Sequence, residues 1–297
     1  SSLNSCVEGQ IMSTNHLPIL AGTPNIPVRR MDFEFDDAIP KYWFDNNPFL
    51  TMLLTGLSCV FPEGERMFMR SVRNYQDKIT DPELLKEVRA FIGQEAHHGK
   101  EHQEFNEFMA RKGLPIEKIM TFVAQGIAFE EKNLSKERML AKTCALEHFT
   151  AMFAEMILEH PEFLDGMDER LRPLWLWHAV EESEHKSVAF DVYQQQVGNY
   201  WIRVSEMAFT SVFFTFFTGL HTVQLLRATE EQRNFKAITQ GLNVLVGRKG
   251  FFRGMMPQYL AYYRPDFHPT QRDSSLLRAK GLRLLQGFLG EKIKLAA

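Results

Sequence analysis

Residues 178–185 read His-Ala-Val-Glu-Glu-Ser-Glu-His. Successive side chains on a helix turn by about 100°, so His178, Glu182 and His185, spaced i, i+4, i+7, project from one face. Two imidazoles and a carboxylate would converge there, a donor set suited to a metal ion. A related stripe lies upstream in Gln-Glu-Ala-His-His-Gly-Lys-Glu-His at 94–102, where Glu95 and His98 have the same i, i+3 spacing as Glu182 and His185. Two such helices facing each other would make a two-metal site. The motif alone is weak, because 10 His and 26 Glu in 297 residues give about one Glu-x-x-His by chance. Two occur, and their surroundings carry the rest of the case.

Those surroundings are long helices. Asp81-Pro82-Glu83 is a helix start, with Asp81 as N-cap and Pro82 at the first helical position, and Gly113 followed by Pro115 is the matching stop. The inward stripe of this helix is Val88, Phe91, Glu95, His98, His102, Phe105. Ser135 starts another long helix that ends near His160-Pro161, with Leu140, Thr143, Cys144, Glu147, Ala151 and Ala154 on its inner side. From Trp43 to Tyr75 the apolar residues again recur with helical spacing, and Pro62 is expected to kink or restart that helix. Phe61, Glu65, Phe68 and Val72 share a face, which puts Glu65 among apolar neighbours. Glu63 shares its side with Arg66 and Arg70 and reads as solvated. A fourth helix, from about Asp168 to Gln196, carries the opening motif, with Pro173 tolerated in its first turns.

Four helices thus each bring a carboxylate onto an otherwise apolar face, and two add histidine. An isolated ionised carboxylate in a low-dielectric interior costs several kcal/mol or more. No cluster of Lys or Arg appears on these faces to offset four of them, and two divalent cations would. One Glu from each of two helices (Glu65, Glu147) and Glu-x-x-His from each of the others (Glu95/His98, Glu182/His185) is the four-helix di-metal carboxylate pattern. His178, one turn before Glu182, reads as an extra ligand or as a partner behind one. His102 is open between ligand, partner of a ligand and rim. His97 and His148 lie off the stripes and read as ordinary polar residues. The competing reading is a buried hydrogen-bonded network without metal.

Composition narrows the rest. With 24% charged and 44% hydrophobic residues, 25 Phe and 14 Met, the chain reads as a globular helical protein. Its net charge of −3 and pI near 6.4 leave no overall electrostatic footprint for nucleic acid or an anionic surface. Cys6, Cys59 and Cys144 suggest neither a disulfide framework nor a thiolate site, and the start of the chain lacks a signal-peptide pattern, so a cytoplasmic location is expected. We expect an irregular arm over 1–40, the helical bundle over 41–198 and a C-terminal helical extension over 199–297. Residues 207–226 contain no Asp, Glu, Lys or Arg and could span a bilayer. His221, Gln224 and four Thr interrupt the run, which favours a helix buried against the bundle or another subunit over membrane contact. Gly247-Arg248-Lys249-Gly250 fails the P-loop spacing and reads as an interhelical turn.

Phe-Pro-Glu-Gly-Glu at 61–65, the 94–102 stripe and His-Ala-Val-Glu-Glu-Ser-Glu-His-Lys at 178–186 resemble the bacterial family labelled "predicted metal-dependent hydrolase", within the ferritin-like group. The likeness covers roughly residues 28–280 and implies hydrolysis. The ligand order also resembles the di-iron arylamine N-oxygenases, which carry an additional histidine on the last helix. By that resemblance His178 completes a set of three His and four Glu; the long apolar C-terminal region is a departure. The expected fold is all-α, a ferritin-like four-helix bundle with a di-metal carboxylate site and a C-terminal extension. The expected function is a non-haem di-iron oxidase or oxygenase that uses O2 on a small apolar or aromatic substrate. The alternatives are a dinuclear hydrolase and a metal-binding bundle without turnover. Iron is the first expectation for the two metals, then manganese, with zinc for a hydrolase. A homodimer, a small-molecule substrate and an external electron donor are the expected partners, and nucleic acid is not.

Overall fold

The computed structural model describes residues 26–290 and 293–295. Most of the expected N-terminal arm, residues 1–25, lies outside them. Helix α1 (Pro48–Gln76) begins where Asn47, in extended backbone, accepts a hydrogen bond from the Leu50 amide and Pro48 takes the first helical position. It starts later than the apolar period suggests, because Trp43 and Phe44 are core residues of the preceding loop. It also continues through Pro62 instead of restarting there. Proline in a helix interior strands the carbonyl four residues back. Here that carbonyl belongs to Ser58, and Asn106 Nδ2 donates to it at 3.0 Å.

Helix α2 (Pro82–Arg111) starts at the expected cap, with Asp81 accepting from the Glu83 amide, and stops before Gly113, whose φ of +89° suits glycine. Helix α3 (Ile116–Asn133) buries only Ile116, Ile119 and Ile127, too sparse a stripe to stand out in the sequence. Helix α4 (Lys136–Glu159) is capped by Ser135 as expected. The single helix expected over 168–196 is instead two, α5 (Arg172–His185) and α6 (Val188–Gln196). At the break Lys186 turns to Glu155 Oε1 of α4, 2.7 Å away. Four helices follow: α7 (Tyr200–Ala228), α8 (Phe235–Val246), α9 (Met256–Ala261) and α10 (Ser275–Leu289). A two-residue strand β1 (Arg29–Arg30) pairs antiparallel with β2 (Lys294–Leu295).

Helix α1 packs along α2 and α4 along α5, while α1 meets α4 and α2 meets α5, so the four surround a common interior. One apolar cluster gathers Trp43, Leu54, Phe105, Ile157 and Trp175, and another gathers Val72, Phe91, Leu140 and Tyr193. Glu65, Glu95, His98, Glu147 and the 178–185 motif fall between the two clusters along their helices. Helix α10 lies on α5 and α4 at Gly281, where a Cβ would run into Leu158 and sit 3.1 Å from Val180 Cγ2.

Helix α7 packs on the bundle as expected, but along one side only. It packs on α1 and α4 through Met207, Thr210, His221, Thr222 and Leu225, yet Phe209, Val212, Phe213, Phe216 and Val223 are exposed. The run is apolar on all sides, and the bundle covers only one of them. By length and composition α7 could cross a membrane.

Candidate metal centre

The seven side chains singled out by spacing converge in two overlapping groups. Glu65, His98, His178 and Glu182 form one, and Glu95, Glu147, Glu182 and His185 form the other, each with donor atoms within 4.8 Å of one another. All are buried. Glu182 belongs to both and divides its oxygens between them. Its Oε1 lies 3.0 Å from His178 Nε2 and 3.4 Å from His98 Nδ1, while its Oε2 lies 3.4 Å from His185 Nε2. Glu65 Oε1 sits 3.5 Å from His178 Nε2. Glu95 Oε1 and Glu147 Oε2 lie 2.9 and 3.3 Å from His185 Nε2. The two residues of one Glu-x-x-His motif therefore part company, Glu95 to one group and His98 to the other. Gly99 lets the helices approach this closely: a Cβ there would be 3.3 Å from Glu65 Oε2.

Apart from the His178 Nε2–Glu182 Oε1 contact at 3.0 Å, these donors lack partners among the described residues. Both oxygens of Glu65, Glu95 and Glu147, together with Glu182 Oε2, His98 Nδ1 and His185 Nε2, are buried without a hydrogen bond. Buried polar atoms are ordinarily satisfied, so a cluster of orphans facing one another points to a missing cation. Donors about 2.1 Å from one ion at right angles would stand about 3.0 Å apart, and the nearest contacts here, 2.9 to 3.5 Å, are close to that. The residues fit two metal ions.

The outer nitrogen of each imidazole is engaged. His185 Nδ1 meets Gln94 Oε1 at 2.7 Å, and Gln94 Nε2 in turn donates to Pro27 O and Glu184 Oε2. His98 Nε2 meets Glu181 Oε2 at 2.9 Å, and Arg29 Nη1 donates to the other oxygen of that carboxylate at 3.0 Å. His178 Nδ1 meets His102 Nε2 at 2.7 Å, and His102 Nδ1 meets Ser58 Oγ at 2.8 Å. The direction of this last chain follows from its far end. Asn106 Nδ2 donates to Ser58 O, so its Oδ1 accepts from the Ser58 hydroxyl at 2.7 Å. His102 Nδ1–H must then donate to Ser58, and His178 Nδ1–H to His102. The bare Nε2 of His178 is left pointing at carboxylate oxygens, which is favourable with a metal ion, or in its place a carboxyl proton, between them. Such partners set the tautomer and orientation of metal-bound histidine. His102 thus stands behind a candidate ligand and is not in either group.

Electrostatics agree. Burial, then the charge of Glu95, pushes Glu65 well above the usual carboxylate range, and burial with Glu182 pushes Glu147 up to about 8. Burial also opposes charge on His98 and His185, but the hydrogen bond to Glu181 and the nearby Glu182 and Glu95 carboxylates hold the first well above its ordinary value, and the charges of Glu182 and Glu147 do so for the second. Burial and the neighbouring His98 lower His178 to about 4. Without a metal the cluster keeps protons in the cation's place. Metal binding would release them.

An apolar cavity of about 1080 Å³ of empty space, part of it open to solvent, reaches the centre. Glu65, His178 and Glu182 line it together with Phe61, Phe149, Phe153, Trp175 and Phe214. A second cavity, about 1560 Å³ of empty space and also partly open to solvent, adjoins the first, with Val60, Gly64, Leu146, Phe214 and Thr218 lining both.

A family model matches residues 27–273. The chain belongs to this family, described as predicted metal-dependent hydrolase. The family match takes in all seven converging residues and also Arg29, Ser58, Gln94, His102, Asn106 and Glu181. No curated protein and no solved structure matches.

Five of those supporting residues were not foreseen. Asn106 continues the 95, 98, 102 stripe by one more turn and could have been found there. Ser58 lies two turns before Glu65. Arg29 had no local signal, since its partner Glu181 is 152 residues away. Glu63, expected to be solvated, is half-buried and pairs with Arg66 and Arg70, which share its side as expected. His148 makes an ordinary hydrogen bond, Nε2 to Gln258 O at 2.9 Å.

Proposed function

We propose that the protein is a dinuclear metal-dependent hydrolase whose substrate is an ester or amide with an apolar acyl or alkyl part. The observation that carries this reading is Glu182, which turns one oxygen to each of two buried donor groups, most of whose atoms have no other partner among the described residues, at the wall of an apolar cavity. The family description supports the reaction class. One Glu from each of α1 and α4, with Glu-x-x-His from α2 and α5, also supports a ferritin-like di-metal bundle.

Glu65, His98, His178 and Glu182 would hold one metal, and Glu95, Glu147, Glu182 and His185 the other. Bound metals would polarise the scissile carbonyl and make water a nucleophile near neutral pH. The chain's own part is to orient and to exclude. Arg29 with Glu181, Gln94, and the Ser58–His102 pair keep the three imidazoles aimed. Phe61, Phe153 and Trp175 leave an apolar substrate dry beside the carboxylates, where charge interactions are strong.

A second reading, O2-dependent oxidation of an apolar substrate at two irons, is favoured by the donor set itself. Four carboxylates and three imidazoles are hard, oxygen-rich ligands that suit iron or manganese and leave few open positions for water. One experiment separates the two. The Zn²⁺- or Mn²⁺-loaded chain should hydrolyse p-nitrophenyl esters, more readily as the acyl chain lengthens, and Glu182→Ala should abolish the reaction. No hydrolysis by either form, together with O2 consumption by the Fe²⁺ form, would overturn hydrolysis in favour of oxidation.

A further inference from the structure

The uncharged run at 207–226 is only half used by the fold. Along α7, Phe209, Val212, Phe213 and Phe216 project to solvent. Phe122 and Phe129 of α3 are exposed beside them, the Phe122 ring lying 5.6 Å from that of Phe217. Contiguous exposed apolar patches mark an interaction surface on a soluble domain.

Two further observations say what covers this one. First, the second cavity opens here: Phe122, Phe129, Phe209 and Phe213 line it, and Gly64 and Phe214 line both it and the cavity at the metal centre. Second, the charge is local. Residues 200–264 hold eight Lys or Arg against three Asp or Glu, within a chain of net charge −3. Seven of the eight are exposed; Arg264 pairs with Asp266, which leaves Arg227, Arg233, Lys236, Arg248, Lys249 and Arg253. Arg253 belongs to a turn whose Phe252 and Met255 line the first cavity with Phe214 and Thr218 of α7, so the basic turn adjoins the apolar helix. The overall acidity of the chain hides this segment.

We propose that this face seats the protein on an anionic lipid surface. The phenylalanines of α7 and α3 enter the acyl-chain region and the basic segment meets the headgroups. The cavity then opens into lipid, and the substrate of the hydrolase is a lipid-soluble molecule; that last step rests on the function proposed above, whereas the docking does not. A second copy is the poorer occupant, because face-to-face pairing would bring two basic segments together, while anionic headgroups complement one. Helix α7 lies on the surface and does not span it. One side packs on α1 and α4, and Arg203 and Glu206 are held inside the fold by Arg264 O and Arg138. An apolar face with flanking cations is the signature of an interfacial helix.

Flotation of the full chain with vesicles reads docking without turnover. The chain should float with vesicles of equal parts phosphatidylcholine and phosphatidylglycerol and far less with phosphatidylcholine alone. Each cation removed, as in Arg248→Ala or Lys249→Ala, should weaken binding about fivefold. Phe213→Asp combined with Phe216→Asp should abolish it while helix content and metal content stay unchanged, since both side chains project to solvent. A chain that stays in the aqueous fraction with both vesicles overturns the proposal. A dimer in sedimentation that Phe213→Asp splits would then assign the face to a second copy. Flotation by a chain that hydrolyses no ester with any metal keeps the docking and removes the hydrolase reading instead.

Discussion

His102 Nε2 lies 2.7 Å from His178 Nδ1, and this contact turns the bare nitrogen of His178 toward Glu65 and Glu182. Deleting such an outer partner typically costs 10- to 100-fold in metal affinity. His102→Ala should therefore weaken one metal by about that factor, read by competition with a chelator. His102→Gln, which keeps an acceptor for the His178 N–H, should restore part of it. Equal affinities in all three proteins would show that the tautomer is set elsewhere.

Glu182 is the only one of the seven side chains shared between the two donor groups, so its removal should act on both metals. After dialysis, Glu182→Ala should retain almost no metal. Glu65→Ala and Glu147→Ala should each keep about one ion per chain, because each deletes a donor from a single group. Elemental analysis decides. Two retained ions in the Glu182 variant would mean the carboxylate bridges nothing.

The bond from Asn106 Nδ2 to Ser58 O fills the gap that Pro62 leaves in α1. A buried carbonyl left without its donor costs about 1–3 kcal/mol, so Asn106→Leu should lower the urea midpoint accordingly. Pro62→Ala supplies α1 with its own donor for Ser58 O. In that background the Asn106 change should cost less, the remainder being the lost Ser58 hydroxyl contact. An equal cost in both backgrounds would place the stabilisation outside the proline gap.

The sequence was most legible where the physics is local. Asp81 and Ser135 cap helices because a side-chain oxygen can reach an amide two or three residues on, and Glu65, Glu95 and Glu147 stood out as lone carboxylates on apolar stripes. The convergence of the seven residues followed from those stripes. Their division was not legible, because the parting of Glu95 from His98 depends on how two helices face a third. Arg29 and the Pro62–Asn106 bond join residues far apart in the chain, and no period reports such pairs. The exposure of α7 was hidden for another reason: a helix apolar on every side carries no record of which side is covered.

Cys59 offers a test of the α1 interior away from the candidate ligands. Burial pushes its thiol from an ordinary value of about 9 up to about 12. The folded chain thus keeps a proton that the unfolded chain loses above pH 9. A group held protonated in this way contributes its full stability below the unfolded value and loses it as pH rises toward the folded one. At about 1.4 kcal/mol per pH unit, the loss between pH 9 and 12 approaches about 4 kcal/mol, again from linkage. Urea midpoints should therefore fall more steeply with pH above 9 in the natural chain than in Cys59→Ala, although the variant begins lower because it leaves a small cavity. The native thiol should also resist iodoacetamide at pH 8, where almost none of it is thiolate. Parallel alkaline limbs for the two proteins, or rapid alkylation of Cys59 in the folded state, would show that this part of α1 opens to water far more readily than its packing implies.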